Sequence, residues 1–291
     1  MAVYTLKNQE ITIEVTSAGA ELKSLKDNHT GTEYMWCGDA AYWGRTSPVL
    51  FPLVGTYKNN ETTYQGKKYS MSQHGFARDM EFELVSQTED SIFFALKDSE
   101  VTREKYPFAF YLELGYRLNG RSIEVLWKVK NPAEETMYFS IGGHPAFNCP
   151  LNGEGKQTDY KISFDVEDKV VSSLLKPGAG VTDTRIEYPL EHGQMAVTAD
   201  LFDNDALILE HHQAHQLSLV NPEGEKYITV AFDAPLVGIW SPTGKNAPFI
   251  CIEPWYGRAD HEKFNGTLEE REWGNQLMSG EEFKAAYTIT I

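Results

Sequence analysis

Cysteine is scarce in this chain: three in 291 residues, Cys37, Cys149 and Cys251, far apart and without CxxC spacing. An odd, dispersed set excludes a disulfide framework or zinc knuckle and fits a reducing cytoplasm. Positive charge is also short, with 26 Lys and Arg against 42 Asp and Glu and a net charge of −16. Neither nucleic acid nor an anionic membrane surface is therefore an expected partner. No run approaches the roughly 18 apolar residues of a membrane helix, and the opening MAVYTLKNQEITIEV is polar where a signal peptide would be apolar. Neither GxxxxGK[ST] nor GxSxG occurs, which leaves nucleotide hydrolysis and serine esterase chemistry without support. Linkers rich in Pro, Gly or Ser, charge blocks and repeats are missing as well, so residues 1–291 are expected to form one domain.

Helical periodicity is limited to short candidates, DSEVTREKY and GEEFKAAY. Alternation with period two takes its place. In FAFYLELGYRLNGRSIEVLWKVKN, Phe110, Leu112, Leu114, Tyr116 and Leu118 alternate with polar or small residues. Ile123, Val125, Trp127 and Val129 do the same after Asn119-Gly120, which predicts a hairpin with a type I′ turn at that dipeptide. TTYQGKKYSM and FELVSQTEDSIFFALKD read as further hairpins, as does ALILEHHQAHQLSLV with His211, His212 and His215 at its tip. Three imidazoles at a hairpin tip need not converge, so no metal is expected there. With 41% hydrophobic residues to fill a core, the pattern predicts an all-β protein, a large antiparallel β-sandwich with few short helices.

Three segments break the alternation and carry reactive side chains: QHGFARD (73–79), GGHPAFN (142–148) and CIEPWYG (251–257). His144 and Glu253 each precede a proline and follow an apolar run. Proline forces its predecessor into extended backbone and cannot donate to a ladder, so both side chains are expected at strand ends. Gly142 and Gly143 let a ligand or a neighbouring strand approach His144, which is either a packed side chain at a β-bulge or a proton donor. Glu253 is costly to bury among Cys251, Ile252, Pro254 and Trp255, and such a setting raises a carboxyl pKa toward that of a general base. Trp255 and Tyr256 offer flat faces for a ring. His74 is either a turn residue or a hydrogen-bonding group in the same cleft.

Together and in this order, QHGFARD, GGHPAFN and IEPWYG resemble the aldose 1-epimerase (galactose mutarotase-like) family, in particular its LacX-like branch, over nearly the whole chain. The resemblance implies a galactose mutarotase-like β-sandwich that interconverts the α and β anomers of a hexose such as galactose or glucose, with no cofactor and a monosaccharide as partner. It makes Glu253 the base, His144 the acid and His74 a hydrogen-bond partner at the ring oxygen or a neighbouring hydroxyl. The family's substrate-binding arginine motif is absent from LFPLVGTYKNN; Arg45 in WGRTSP and Arg78 in HGFARD are the substitutes, although Arg78 could instead pair structurally with Asp79. The sugar-binding aspartate falls in LFDNDALIL, with Asp205 favoured over Asp203. Two other functions fit the same residues: a non-catalytic sugar-binding protein, and a hexose-phosphate mutarotase with Arg45, Arg78 and Lys58 on the phosphate.

Overall fold

A computed structural model describes residues 2–291. Two large antiparallel sheets dominate it. One runs in the order Gln194–Ala196, Lys161–Phe164, Gln216–Val220, Lys226–Phe232, Glu282–Thr290, Ser122–Lys130, Tyr111–Asn119, Ser91–Lys97, Glu83–Gln87. The other runs Gly180–Pro189, Lys169–Lys176, Leu207–Leu209, Leu236–Trp240, Phe249–Tyr256, Ile141–Gly143, Val49–Leu50, with Ala146–Asn148 also paired to Phe249–Tyr256. A smaller sheet of Val3–Lys7, Ile11–Thr16 and Leu22–Asp27 adds its apolar side chains to the same core.

Alternation explains the layering, because a strand buried on both faces sends odd and even residues into different surroundings. Along Phe249–Tyr256, Ile250 and Ile252 enter the core between the sheets, while Cys251 and Trp255 pack into separate clusters on the other face. Val237 and Ile239 follow the first pattern; Leu236 and Trp240 follow the second. The sheets meet through aromatic contacts such as Trp127 against Tyr256, 6.3 Å between ring centroids at 83°. Glu253 shares its parity with Cys251 and Trp255. It therefore faces away from the sandwich core, toward the loops that cover the sheet.

Three local expectations need correction. GEEFKAAY is not helical: from Glu282 on it belongs to the strand Glu282–Thr290, where pairing with Ser122–Lys130 along its whole length and burial of Tyr287 and Ile289 override the helix propensity of Glu, Lys and Ala. DSEVTREKY does contain an α-helix, Glu100–Lys105, capped where the Ser99 hydroxyl accepts from the Thr102 N–H. The long hairpin turns at Gly120-Arg121, one residue later than Asn119-Gly120, because Asn119 pairs with Ser122 and Gly120 alone takes a positive φ, +56°. The histidine run is no hairpin tip either, since Leu207–Leu209 and Gln216–Val220 belong to different sheets and residues 210–215 cross between them.

Ile239 is fully buried, whereas Leu84 on the edge strand is 42% exposed. Ile239→Ala should lose about 2–5 kcal/mol, and Leu84→Ser should change stability by no more than about 0.5 kcal/mol. Urea unfolding of the two variants beside the wild type checks both values.

Candidate active site

His144 and Glu253 are cross-strand neighbours. Gly142 pairs with Trp255 and Ala146 with Cys251, so the register between those pairs sets His144 opposite Glu253. Pro145 and Pro254 sit beside them in the same interval, where neither can donate to a ladder. The interruption separates Ile141–Gly143 from Ala146–Asn148 and leaves His144 between them. Thus His144 lies at a strand end as its proline predicts. Glu253 does not: it lies inside the central strand Phe249–Tyr256, paired on its other side with Gly238.

The His144 Nε2 lies 3.3 Å from the Glu253 Oε2, and both side chains are buried. Trp43 stacks on the imidazole at 4.6 Å, Trp240 meets it edge-on at 5.4 Å, and the His74 ring stands perpendicular to it at 5.6 Å. His74 is held by a tight turn. Its own φ is +67°, its N–H donates to the Gly55 carbonyl at 2.7 Å, and the Gly55 N–H donates to its Nδ1 at 3.1 Å. An accepting Nδ1 in a neutral imidazole places the proton on Nε2. Gly75 is obligatory here: with φ at +73°, a Cβ would come within 2.2 Å of the Phe51 carbonyl oxygen.

These groups line a cavity of about 370 Å³ together with Arg45, Gln73, Arg78, Asp205 and Trp255. All seven residues expected from sequence, His74, His144, Glu253, Arg45, Arg78, Asp205 and Trp255, therefore meet at one place. Asp203 instead lines a larger cleft of about 660 Å³, whose only other ionisable residue is Lys156 and whose Gln157 amide is committed to Ser241, Ala247 and Phe249. Size alone would single out that cleft, but it holds no acid and base in contact. Arg45 donates to Asp79 at 2.7 Å; Arg78 donates to the Gln73 carbonyl at 2.6 Å and lies 4.0 Å from Asp79. The Arg78–Asp79 pairing is thus present but loose, and the Arg78 Nε is buried without a hydrogen-bond partner.

Trp255 occupies a slot. A Cβ on Gly142 would reach its indole at 2.6 Å and one on Gly238 at 2.4 Å, so glycines on the two flanking strands make room for the ring. Tyr256, by contrast, is no ring platform. By parity it faces the sandwich core and meets Trp127 and Phe283. Lys58 also lies outside the cavity, since its ammonium donates to the Phe264 carbonyl and the Asn265 side chain. Trp43, which stacks on His144, and Trp240, which meets it edge-on, were not found from sequence. Trp43 stands two residues before Arg45 in YWGRTSP, and Trp240 ends a strand; neither position distinguishes a ligand platform from core.

Burial sets the charge state. Loss of water pushes the Glu253 carboxyl well above its ordinary value, and the nearby Asp205 carboxylate raises it further. Burial, with the positive charge of Arg78, lowers the His144 imidazole to about 3, and His74 is likewise held well below its usual range. The unliganded pair is therefore a neutral carboxyl beside a neutral imidazole. Donor atoms of His144, Cys251 and Glu253 lie within 4.8 Å of one another, as do those of the exposed His212, His215 and Asp233, and each set has the chemistry of a metal ligand group. His211 departs from the second set and packs on Trp273, 4.8 Å between ring centroids.

Residues 2–289 match the family model for aldose 1-epimerase. The chain belongs to the aldose 1-epimerase family. It is an isomerase of that type. It is 33% identical to the plasmid-encoded protein LacX of Lactococcus lactis over 98% of both chains. Among solved structures, a galactose mutarotase related enzyme from Lactobacillus acidophilus superposes with a TM-score of 0.94 at 39% identity, covering 99% of this chain and 97% of that one. A galactose mutarotase-like protein from Lactobacillus casei gives 0.89 at 29% identity and 99% coverage of each. No helix among the described residues is long and apolar enough to cross a membrane.

Neutral burial has opposite consequences for the two members of the pair. The unfolded chain protonates His144 near 6.5 and the folded chain only near 3, so its contribution to stability is present above pH 6.5 and lost as pH falls through that window. The folded chain keeps the Glu253 proton above the ordinary 4.5, so that contribution is present below pH 4.5 and lost as pH rises. Relative to wild type, His144→Asn should gain stability on acidification and Glu253→Gln on alkalinisation. Thermal unfolding between pH 4 and 9 checks both trends.

Proposed function

We propose that the whole chain acts as a single domain that interconverts the anomers of a free aldohexose in the cytoplasm, with Glu253 and His144 as the proton-transfer pair. The observation that carries this reading is the buried 3.3 Å His144–Glu253 contact on the wall of a sugar-sized cavity. Mutarotation opens the pyranose ring: one group takes the proton from the anomeric hydroxyl and another gives one to the ring oxygen. Rotation about C1–C2 and the reverse transfers close the other face. Both steps can be served by one shared proton.

Moving that proton from Glu253 to His144 converts the neutral resting pair into carboxylate and imidazolium with no change in net charge. The carboxylate then accepts from the anomeric hydroxyl, and the imidazolium donates to the ring oxygen. A bound sugar brings hydroxyl dipoles against the pair, and these favour the charged form that burial of the two groups opposes. His74, with its proton on Nε2, acts as a hydrogen-bond donor to the ring oxygen or a neighbouring hydroxyl. Asp205, Arg45 and Arg78 bind the remaining hydroxyls, and Trp255 packs against the carbons of the ring. No step calls for a cofactor.

A second reading concerns the substrate's charge. Two guanidinium groups line the cavity and the Arg78 Nε makes no hydrogen bond, which favours a hexose phosphate whose anion reaches both. In that case the same pair performs the same chemistry.

Glu253→Gln keeps the shape of the side chain and removes the base, so anomer exchange should fall by about 10² or more while the fold persists. Polarimetry or NMR exchange spectroscopy on α-glucose and α-galactose, with circular dichroism of both proteins, checks this. Wild type that binds sugar without accelerating exchange would sink the catalytic reading. Competition by glucose 6-phosphate, with none by glucose, would move the substrate to the phosphorylated class.

A further inference from the structure

We propose that the buried Arg271–Asp260 ion pair positions His74 for sugar binding, acting through the backbone of Gly55; this deepens the mutarotase reading and rests on it for its kinetic arm. Both side chains are 7% exposed or less, and the Arg271 Nε donates to the Asp260 Oδ1 at 2.6 Å. A pair so buried is a poor source of stability compared with apolar packing, so its placement calls for another account. Neither residue lines the cavity.

The pair joins three chain segments. Arg271 also donates to the Arg258 carbonyl at 2.8 Å and to the Ser140 hydroxyl at 3.4 Å, and its guanidinium lies 4.9 Å from the centre of the Tyr57 ring. The second Asp260 oxygen accepts the Lys58 N–H at 2.8 Å, and the Asp260 N–H donates to the Thr56 carbonyl at 3.0 Å. Segment 258–260 is thereby fixed against segment 56–58. Gly55 is the next residue and sits directly on Ala259, where a Cβ would meet the Ala259 nitrogen at 2.5 Å.

From Gly55 the constraint reaches the site in one step. Its N–H and carbonyl both bond His74, the first to the ring Nδ1 and the second to the main chain. That donated N–H is what fixes the tautomer with hydrogen on Nε2. If segment 258–260 shifts, Gly55 loses its backing and the ring can adopt the other tautomer, presenting an acceptor where the sugar needs a donor. Arg271 and Asp260 touch neither the cavity nor the reacting atoms; they are positioning residues.

The test uses the full chain with Asp260→Asn and, separately, Arg271→Lys, which keeps the charge and cannot reach all three acceptors. Long-range proton–nitrogen NMR of histidine-labelled protein, with His74 assigned through His74→Asn, reports the tautomer without any substrate. Wild type should show hydrogen on Nε2 alone; both variants should mix the tautomers and speed exchange of the Gly55 amide. KM for the sugar should rise about tenfold in Asp260→Asn while kcat stays within about twofold, because a contact that binds is weakened. General destabilisation would lower the amount of active enzyme and leave KM unchanged. Folded variants with an unchanged His74 tautomer and unchanged Gly55 exchange would overturn the proposal. Mixed tautomers in a protein whose wild type does not accelerate anomer exchange would uphold the positioning role and overturn the mutarotase reading instead.

Discussion

The site depends on one constraint: a carboxyl and an imidazole held opposite each other on adjacent strands at a place where two prolines interrupt the ladder. Cross-strand neighbours are among the shortest reproducible separations a sheet offers. Placing the pair there ties the 3.3 Å contact to the register of the strand pairs on either side of His144. Pro145 and Pro254 give the local gap that lets His144 leave the ladder, and Gly142 and Gly238 open the slot that Trp255 fills beside it. Three aromatic or imidazole rings then enclose His144 and limit its motion.

The same enclosure explains the electrostatics. Deep burial against tryptophan disfavours ions, yet anomer exchange needs charge to appear and vanish within one catalytic cycle. In the proposed mechanism a single proton passes between two groups, each burdened by burial in its charged form, so that the net charge of the pair stays constant. The surrounding charges are unequal in their effect. Asp205 reinforces the protonated carboxyl and the arginines reinforce the neutral imidazole, so the resting state is biased the same way by both.

Much of this was legible in the sequence, because strands write their burial as alternation and because residues before proline are conformationally marked. The three motifs carried five of the seven expected site residues, with Arg45 and Asp205 read from WGRTSP and LFDNDALIL, and parity along CIEPWYG separates Glu253 and Trp255 from Tyr256 once the core face is known. What remained hidden was long-range. Trp43 and Trp240 look like any buried aromatic until another segment's histidine lies against them. Nothing in the sequence marks Arg258, Asp260 and Arg271 as buried, since burial of charged groups follows from contacts far apart in the chain. GEEFKAAY misled for the same reason: its intrinsic preference is helical, and pairing with the distant strand Ser122–Lys130 outweighs it. The histidine run misled because alternation gives strands but not the sheet each one joins.

The edges of the larger sheet carry a consequence of their own. A nine-stranded sheet that does not close leaves two rows of unpaired amides and carbonyls, which invite another chain to add on. At one margin Gln194–Ala196 is only three residues long, too brief a template for stable addition. At the other, Glu83–Gln87 slips register between Leu84 and Ser86 and carries a charge at its first position. That slip bends the strand away from the straight path an incoming partner would need. The margin that exposes Leu84 and Val85 is thus also the one whose backbone is least suited to pairing with another chain.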